Sequence, residues 1–131
     1  MKKLIAFLCV ICITLGLVAC SSNGVKIDKK QSFFSDFKVE NEKVYIYCTL
    51  FIENLQDSQK TVELKATFED DAKNGLLKNA SLYGYATDKS TKNFKLHSGE
   101  NKIEVVFIGD FAGTNKKQDR LLPDIEIIEI E

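Results

Sequence analysis

The sequence contains no tryptophan, one proline, one histidine (His97) and no large excess of charge of either sign. A zinc site needs several histidine or cysteine ligands, and serine–histidine catalysis needs a histidine beside an activated nucleophile. His97 lies in a predicted turn next to Ser98 and is interpreted as a solvated residue. A net charge of −1 argues against nucleic-acid binding, which usually requires a basic patch. The composition therefore predicts no metal, no catalytic residue, no cofactor and no nucleic-acid partner.

Only four cysteines are present, and two of them lie in an apolar N-terminal run. Cys9 and Cys12 belong to the uncharged stretch Leu4–Val18, which follows Lys2 and Lys3. A membrane-spanning helix needs about 20 apolar residues, and this run is shorter. The positive start and the short apolar core predict a secretion signal peptide over residues 1–19. The Cys-x-x-Cys spacing is then part of that signal and not a redox pair.

The sequence Leu17-Val18-Ala19-Cys20 ends this apolar run. It resembles the lipobox of bacterial lipoproteins, in which a leucine, small or apolar residues and an obligatory cysteine follow a signal core. The resemblance implies cleavage between Ala19 and Cys20 and a diacylglyceryl group on the Cys20 thiol. Two or three acyl chains hold a protein firmly on a membrane. We therefore expect a lipid-anchored protein on the extracytoplasmic face of the cell membrane; the alternative is an uncleaved N-terminal anchor.

This interpretation of the N-terminus divides the chain into three predicted segments. Residues 1–19 are the signal peptide, 20–32 are the lipidated cysteine with a flexible polar tether, and 33–131 form one domain. Loss of Lys2 and Lys3 leaves 16 basic against 19 acidic residues, a net charge of −3. Cys48 is the one remaining cysteine, so no intramolecular disulfide is expected in the mature protein. Its position among apolar neighbours predicts a buried, inert thiol.

Alternation with a period of two predicts strands along the domain. The clearest are Val44–Ile52, whose even positions are all apolar, and Thr61–Glu69, which has one polar face. A turn over 54–59, a loop or single helical turn over 70–80 and a strand over 81–87 follow. Further predictions are a hairpin of 94–96 with 102–109 closed by the turn 97–101, and a last strand over 125–130 with a bulge or with both faces buried. These features predict an all-β, small antiparallel sandwich.

The order of these features resembles the immunoglobulin-like modules of small lipoproteins from Gram-positive bacteria. The likeness depends on Glu53-Asn54 at the end of a long strand, Asp70-Asp71 after an alternating strand, and Gly99-Glu100-Asn101 before Ile103-Glu104-Val105. It implies an immunoglobulin-like β-sandwich that acts as a binding or accessory module. The Cys–Trp–Cys signature of antibody domains is absent from the sequence because there is no tryptophan.

A basic loop is the first predicted partner-binding site. Residues 109–122 are interpreted as a long, mobile loop, and loops of this length are often functional. Phe111, Lys116, Lys117 and Arg120 would suit an acidic partner such as a wall polymer or an envelope protein. An ordinary solvated loop is the alternative. A faint likeness to a phosphate-binding loop fails because no lysine follows the second glycine.

Aromatic side chains provide the second predicted binding surface. Tyr83 and Tyr85, with Tyr45, Tyr47 and Phe51, fall on outward positions of predicted strands. Tyrosine is a favoured anchor at protein interfaces. If a second sheet covers these side chains, they are part of the core instead.

An acidic cluster, Glu69-Asp70-Asp71 with Asn74, is the one candidate for calcium. An EF-hand loop starting at Asp71 would need ligands where Lys73 and Leu82 stand, so that template fails. A looser calcium site or a polar turn both remain open.

These observations predict a binding or accessory module at the cell envelope without catalytic activity. One alternative is an immunity or exclusion lipoprotein that protects against a toxin or phage. A less favoured alternative is an envelope hydrolase, which would need paired carboxylates in a cleft. The acidic residues are expected instead to be scattered along outward strand faces. The sequence leaves open whether the envelope is Gram-positive or Gram-negative.

Overall fold

The computed structural model describes residues 24–115 and 121–130. Within these ranges the chain forms eight strands and one short helix. In chain order they are β1 (Val25–Ile27), β2 (Phe33–Glu40), β3 (Lys43–Asn54), β4 (Lys60–Thr67), α1 (Glu69–Lys73), β5 (Ser81–Ala86), β6 (Asn93–Leu96), β7 (Gly99–Asp110) and β8 (Asp124–Glu129). All pairings between these strands are antiparallel. The predicted all-β antiparallel sandwich is confirmed, whereas its immunoglobulin-like topology stays a prediction.

The first sheet is built on β3, which contains the predicted strand Val44–Ile52. β3 pairs with β7 along its whole length, from Lys43 opposite Asp110 to Asn54 opposite Gly99. On its other edge β2 and β1 follow one another, so that β2 covers the first part of β3 and β1 the last. The second sheet is built on β4, which has β8 on one side and β5 and β6 on the other.

Strand β5 belongs to both sheets. Its first half pairs with β4, and Gly84–Ala86 pair with Phe107–Val105 of β7. A Cβ atom on Gly84 would lie 2.5 Å from Cγ2 of Val105, so only glycine fits where the strand passes between the sheets. The two sheets are therefore connected through the hydrogen bonds of β5. On the opposite side, in the described part of the chain, β8 faces β1 and β2 without pairing with either.

Most of the core consists of the inward residues that the alternation predicts, and Leu76 and Leu77 of the predicted loop join it. Val44, Ile46, Cys48 and Leu50 of β3 are at most 1 % exposed. Two phenylalanines add an edge-to-face contact across the sandwich, because the rings of Phe68 and Phe107 lie 5.7 Å apart at 67°. Other fully buried apolar side chains of the core are Ile52, Val62, Leu64, Leu77, Leu96 and Val105.

The middle of the predicted tether contains a strand, β1. Val25–Ile27 pair with Asn54–Ile52, and the N–H of Leu55 donates to the carbonyl of Gly24 over 2.7 Å. Ser32 is buried and its hydroxyl accepts from the N–H of Phe51. The flexible spacer that we expected over 20–32 is thus wrong for residues 24–32. Two apolar residues around Lys26 form too short an alternation to be recognised in a sequence.

The predicted hairpin around His97 is also wrong in its pairing. β6 pairs with β4, and β7 pairs with β3 and β5, so the turn between them crosses from one sheet to the other. Gly99 has the expected positive φ of 93°. The buried Asn101 side chain holds this crossing: its amide donates to the carbonyls of His97 and Gly99, each over 3.0 Å.

The last strand has no bulge. β8 pairs with β4 in unbroken register from Asp124 opposite Thr67 to Glu129 opposite Val62. Ile127 and Ile128 are both half-buried, which agrees with the alternative of a strand covered on both faces. Among the described strands, the register of β2 on β3 shifts between Phe34 and Asp36.

Candidate functional site

The predicted lipidation and cleavage residues, Cys20 and Ala19, lie outside the described residues. The same is true of Lys116, Lys117 and Arg120 of the predicted basic loop. The one helix among residues 24–115 and 121–130 is α1, whose five residues are too few to cross a membrane.

Phe111 is not part of a mobile loop. It forms an isolated bridge with Leu77, and its half-buried side chain packs against the core. The N–H groups of Ala112 and Thr114 donate to the carbonyls of Leu76 and Gly75. The loop prediction is therefore wrong for residues 109–114, because these residues continue β7 and dock on the segment after α1. Phe111 is better described as an edge of the core than as an exposed anchor.

All four tyrosines lie on one outward surface, which we call the tyrosine face: Tyr45, Tyr47, Tyr83 and Tyr85. Val106 lies between Tyr47 and Tyr85 in the register of the first sheet. It points outward but is 0 % exposed, because the surrounding side chains cover it. The alternative that a second sheet covers the tyrosines is wrong, and the rings are half-buried at the surface.

Lysine ammonium groups already cover part of the tyrosine face. Nζ of Lys89 lies 4.4 Å and that of Lys38 lies 5.1 Å from the ring centre of Tyr45. Lys92 and Lys65 approach the ring of Tyr83 in the same way, at 4.5 and 5.6 Å. Such contacts stabilise an exposed cation by about 0.5–1 kcal/mol. The rings of Tyr45 and Tyr83 are thus partly occupied by the protein itself.

Cys48 is the buried core residue that the alternation predicts. Burial raises the pKa of its thiol to about 12, so the nucleophilic thiolate is disfavoured. Its neighbours in the register are Phe34 of β2 and Val105 of β7. Nothing around this thiol suits a reactive role.

His97 is exposed, as expected for a turn residue. Its Nδ1 lies 2.7 Å from the backbone carbonyl oxygen of Ser98. No set of three or more histidine, cysteine or carboxylate side chains that could hold a metal ion was found among the described residues. Calcium binding by the acidic residues after β4 stays a prediction.

A concavity opens among the described residues where β4 ends and β8 begins, on the side where the two sheets do not pair. We call it the acidic cleft; its volume is about 340 Å³. Clefts of about 300–1,000 Å³ are typical of ligand sites. It is lined by Phe34, Ile46, Thr67, Phe68, Glu69, Asp70, Asp71, Leu121, Leu122, Pro123 and Asp124.

Three neighbouring segments build the acidic cleft. At the end of β4 the side chain of Phe68 is buried in the core. The next residues form the short helix α1, in which the N–H of Ala72 donates to the carbonyl of Phe68. The buried Asp71 then accepts backbone N–H groups of Leu76 and Leu77 at its carbonyl. Leu121-Leu122-Pro123 approach from the other side on the way into β8. Phe34 of β2 supplies the third wall.

Sequence reasoning identified only part of this site. Glu69, Asp70 and Asp71 were seen as a calcium candidate or a polar turn, and the apolar walls were missed. The expectation that acidic residues are scattered on strand faces is wrong for these three and for Asp124. The apolar triplet Leu121-Leu122-Pro123, directly after a polar loop, was the signal that could have marked the site.

A second hollow of about 360 Å³ continues along the same open side. Its lining differs in charge from that of the acidic cleft, because Lys26 and Lys29 of the N-terminal segment face Glu126 of β8. The isoleucines and valine of these strands complete it: Val25, Ile27, Ile125 and Ile127. The open side thus has an acidic part and a part with two lysines.

Searches of protein-family models, curated proteins and solved structures found no match to this chain.

Proposed function

We propose that this protein is a lipid-anchored extracytoplasmic module that binds a partner at the cell envelope and does not catalyse a reaction. The sequence of the signal core and Leu17-Val18-Ala19-Cys20 supports the anchor. The anchor would place the domain outside the cytoplasmic membrane, in contact with envelope proteins and wall polymers. The inert Cys48 and the solvated His97 agree with a role in binding.

The single observation that supports binding is the acidic cleft. It combines apolar walls with convergent carboxylates, which is the composition expected of a recognition site. Leu121 at its rim is 86 % exposed, so a large apolar side chain is left in water beside charged groups. A partner that covers Leu121 would remove this apolar area from water.

The anchor is tested by growing cells with labelled palmitate. We expect the wild-type protein to take up label and Cys20→Ala to lose it. The matched control is Cys12→Ala, which removes a cysteine from the predicted signal core and should keep the label. Equal labelling of Cys20→Ala and wild type would contradict the proposal.

Binding through the acidic cleft is tested by photocrosslinking on intact cells. A photoreactive amino acid in place of Leu121 should give a discrete adduct of defined mass. Leu55 is the matched control, because it is 57 % exposed and does not line the cleft. Identical adducts from both positions, or none from Leu121, would argue against a partner at the cleft.

An envelope hydrolase is the second candidate, and the four carboxylates in one cleft favour it. Glycoside hydrolysis uses a pair of carboxylates on either side of the bond that is cleaved. Purified full chain would then turn over wall polymer, and Asp70→Asn would abolish turnover while Glu100→Gln on the surface of β7 would not. Absence of turnover with intact binding would select the binding module.

A further inference from the structure

We infer that one end of the sandwich docks on the lipid bilayer and buries Leu55 at the boundary between headgroups and acyl chains. We call this surface the tether end; it consists of Gly24, the turns 54–59 and 97–99, and Ile130. The inference rests on the proposed lipid anchor and adds a second membrane contact, which the folded domain makes itself. It does not depend on the acidic cleft.

Hydrogen bonds between the strands place these segments at one end of the molecule. In the first sheet β3 ends at Asn54, and β7 starts opposite it at Gly99. In the second sheet β4 starts at Lys60, opposite Leu96 at the end of β6. The buried side chain of Asn54 joins the two sheets here, because its amide donates to the carbonyls of Ser58 over 2.9 Å and of Leu96 over 3.2 Å.

The chain enters the described domain at the tether end. The carbonyl of Gly24 accepts the N–H of Leu55, and residues 21–23 alone separate Gly24 from Cys20 in the sequence. A lipid on Cys20 would therefore hold this end nearest to the bilayer. The other end of β3 is about 36 Å away along the strand, since β3 has 12 residues.

Leu55 is the apolar side chain that the bilayer would bury. It is 57 % exposed, and single exposed leucines are ordinary on protein surfaces. Leu55 differs in its position, because it lies directly beside the point of chain entry. Ile130, also exposed, lies at the same end, where its N–H donates to the carbonyl of Thr61. The other large exposed apolar side chains of the described residues, Phe33 and Leu121, lie in the middle of the first sheet and at the acidic cleft.

The turn that carries Leu55 is already ordered. The N–H of Gln56 donates to Oδ1 of Asn54 over 3.0 Å, and the N–H of Leu55 is bonded to Gly24. Backbone groups that are satisfied within the protein can approach hydrocarbon without losing hydrogen bonds to water. A fixed turn also loses little conformational entropy on docking. The tether end is thus prepared for contact with lipid.

The tether end has little charge to bring toward the bilayer. Within the turns 54–59 and 97–99 the sequence has one carboxylate, Asp57, and no lysine or arginine. Burial of apolar area therefore drives the contact, and not attraction between opposite charges. We expect docking on bilayers of phosphatidylcholine alone, without anionic lipid.

The test uses the lipidated full chain in phosphatidylcholine nanodiscs that contain a lipid with a nitroxide quencher on its acyl chain. A fluorophore is attached at Ser98→Cys on the tether end or at Lys78→Cys at the other end, where the N–H of Lys78 is bonded to Asp110. The thiol of Cys48 is buried and its pKa is raised to about 12, so it stays unlabelled. We expect strong quenching at position 98 and little at 78. Equal quenching, or stronger quenching at 78, would overturn the inference.

A longer tether separates docking from mere proximity. Insertion of about twelve glycine and serine residues after Ser22 makes a flexible spacer, and quenching at position 98 should persist because the tether end binds the bilayer by itself. In this background Leu55→Ser should lower the ratio of docked to undocked protein by about tenfold. Leu121→Ser makes the same change away from the tether end and should have no effect. Loss of quenching on insertion of the spacer, or equal quenching with and without Leu55→Ser, would overturn the inference.

Palmitate labelling distinguishes failure of this inference from failure of the proposed anchor. A protein that takes up label at Cys20 but shows no quenching at position 98 would refute docking and leave the proposed function standing. Equal labelling of Cys20→Ala and wild type would refute the anchor, and the docking with it. Thermal melting verifies that Leu55→Ser is folded, and the spacer protein without this substitution tests docking even if the variant is destabilised.

Discussion

The tyrosine face and the acidic cleft are both partly exposed, and both combine aromatic with charged side chains. They differ in whether these side chains contact one another. On the tyrosine face, lysines lie over the rings of Tyr45 and Tyr83, and Val106 is completely covered. In the acidic cleft, exposed carboxylates have no basic partner among the described residues, and Leu121 is in water. The comparison teaches that aromatic residues on a sheet can complete the fold, whereas the opening between the sheets leaves carboxylates and a leucine in contact with water.

The largest expected effect concerns the wall that separates the cleft from the core. Cys48 lies opposite Phe34 in the strand register, and Phe34 lines the acidic cleft. Reaction of the Cys48 thiol with an alkylating reagent therefore reports movement of Phe34 away from the core. Burial raises the thiol pKa from 9.0 to about 12, which reduces the thiolate by about 1,000-fold at any pH below 9. Alkylation of the folded mature protein at pH 8 should therefore be at least about 1,000 times slower than that of the unfolded chain. Similar rates for the folded and unfolded chains would show that the wall opens readily.

The second effect separates a structural surface from a binding surface. Val106→Ala should lower the free energy of unfolding by about 2 kcal/mol, because it removes methyl groups from a covered site. Leu121→Ala should change that free energy by less than about 0.5 kcal/mol, since the side chain is already in water. Chemical denaturation of both variants measures the difference. Equal losses would remove the distinction between the two regions.

A smaller effect is expected from the lysines of the tyrosine face. Lys89→Met removes one of two ammonium groups over the ring of Tyr45 and should lower the free energy of unfolding by less than about 1 kcal/mol. Photocrosslinking from position 121 should stay unchanged. A loss of that crosslink in this variant would place the recognition surface on the tyrosine face instead.

The smallest effect concerns a single paired carboxylate. A hydrogen bond from Lys43 and its positive charge hold the pKa of Asp110 below the usual value. Since this pKa is lowered in the folded state, the pairing favours folding above the unfolded pKa and is lost as pH falls through the folded one. Lys43→Met should raise the pKa of Asp110 in an NMR titration, whereas Lys102→Met should not. No change with Lys43→Met would mean that the ion pair does not form in solution.

The strands that could be predicted are those whose alternation is long. β3 and β4 have eight or more alternating residues, and their inward side chains are the core. β1 was missed because its three residues show no usable period, and the pairing of β6 was wrong because a turn residue such as Gly99 fits both a hairpin and a crossing between sheets. A sequence pattern reports which way side chains point and says little about which strand lies alongside.

The candidate site was harder to predict because it depends on which strands lie side by side. Phe34, Asp70 and Leu121 are distant in the sequence and meet only because β2 and β8 form the two borders of the open side. Each residue alone has an ordinary explanation as a strand, turn or loop residue. The tyrosines, in contrast, share two strands and could be grouped from alternation alone.

If Cys20 carries lipid as proposed, the early start of β1 limits how far the domain extends from a bilayer. The carbonyl of Gly24 is already fixed to Leu55, so only residues 21–23 separate a lipidated Cys20 from the folded domain. A chain of that length extends at most about 14 Å. A protein on such a short tether would lie in contact with the lipid headgroups. It could bind only partners whose binding segment comes within about one domain diameter of the membrane.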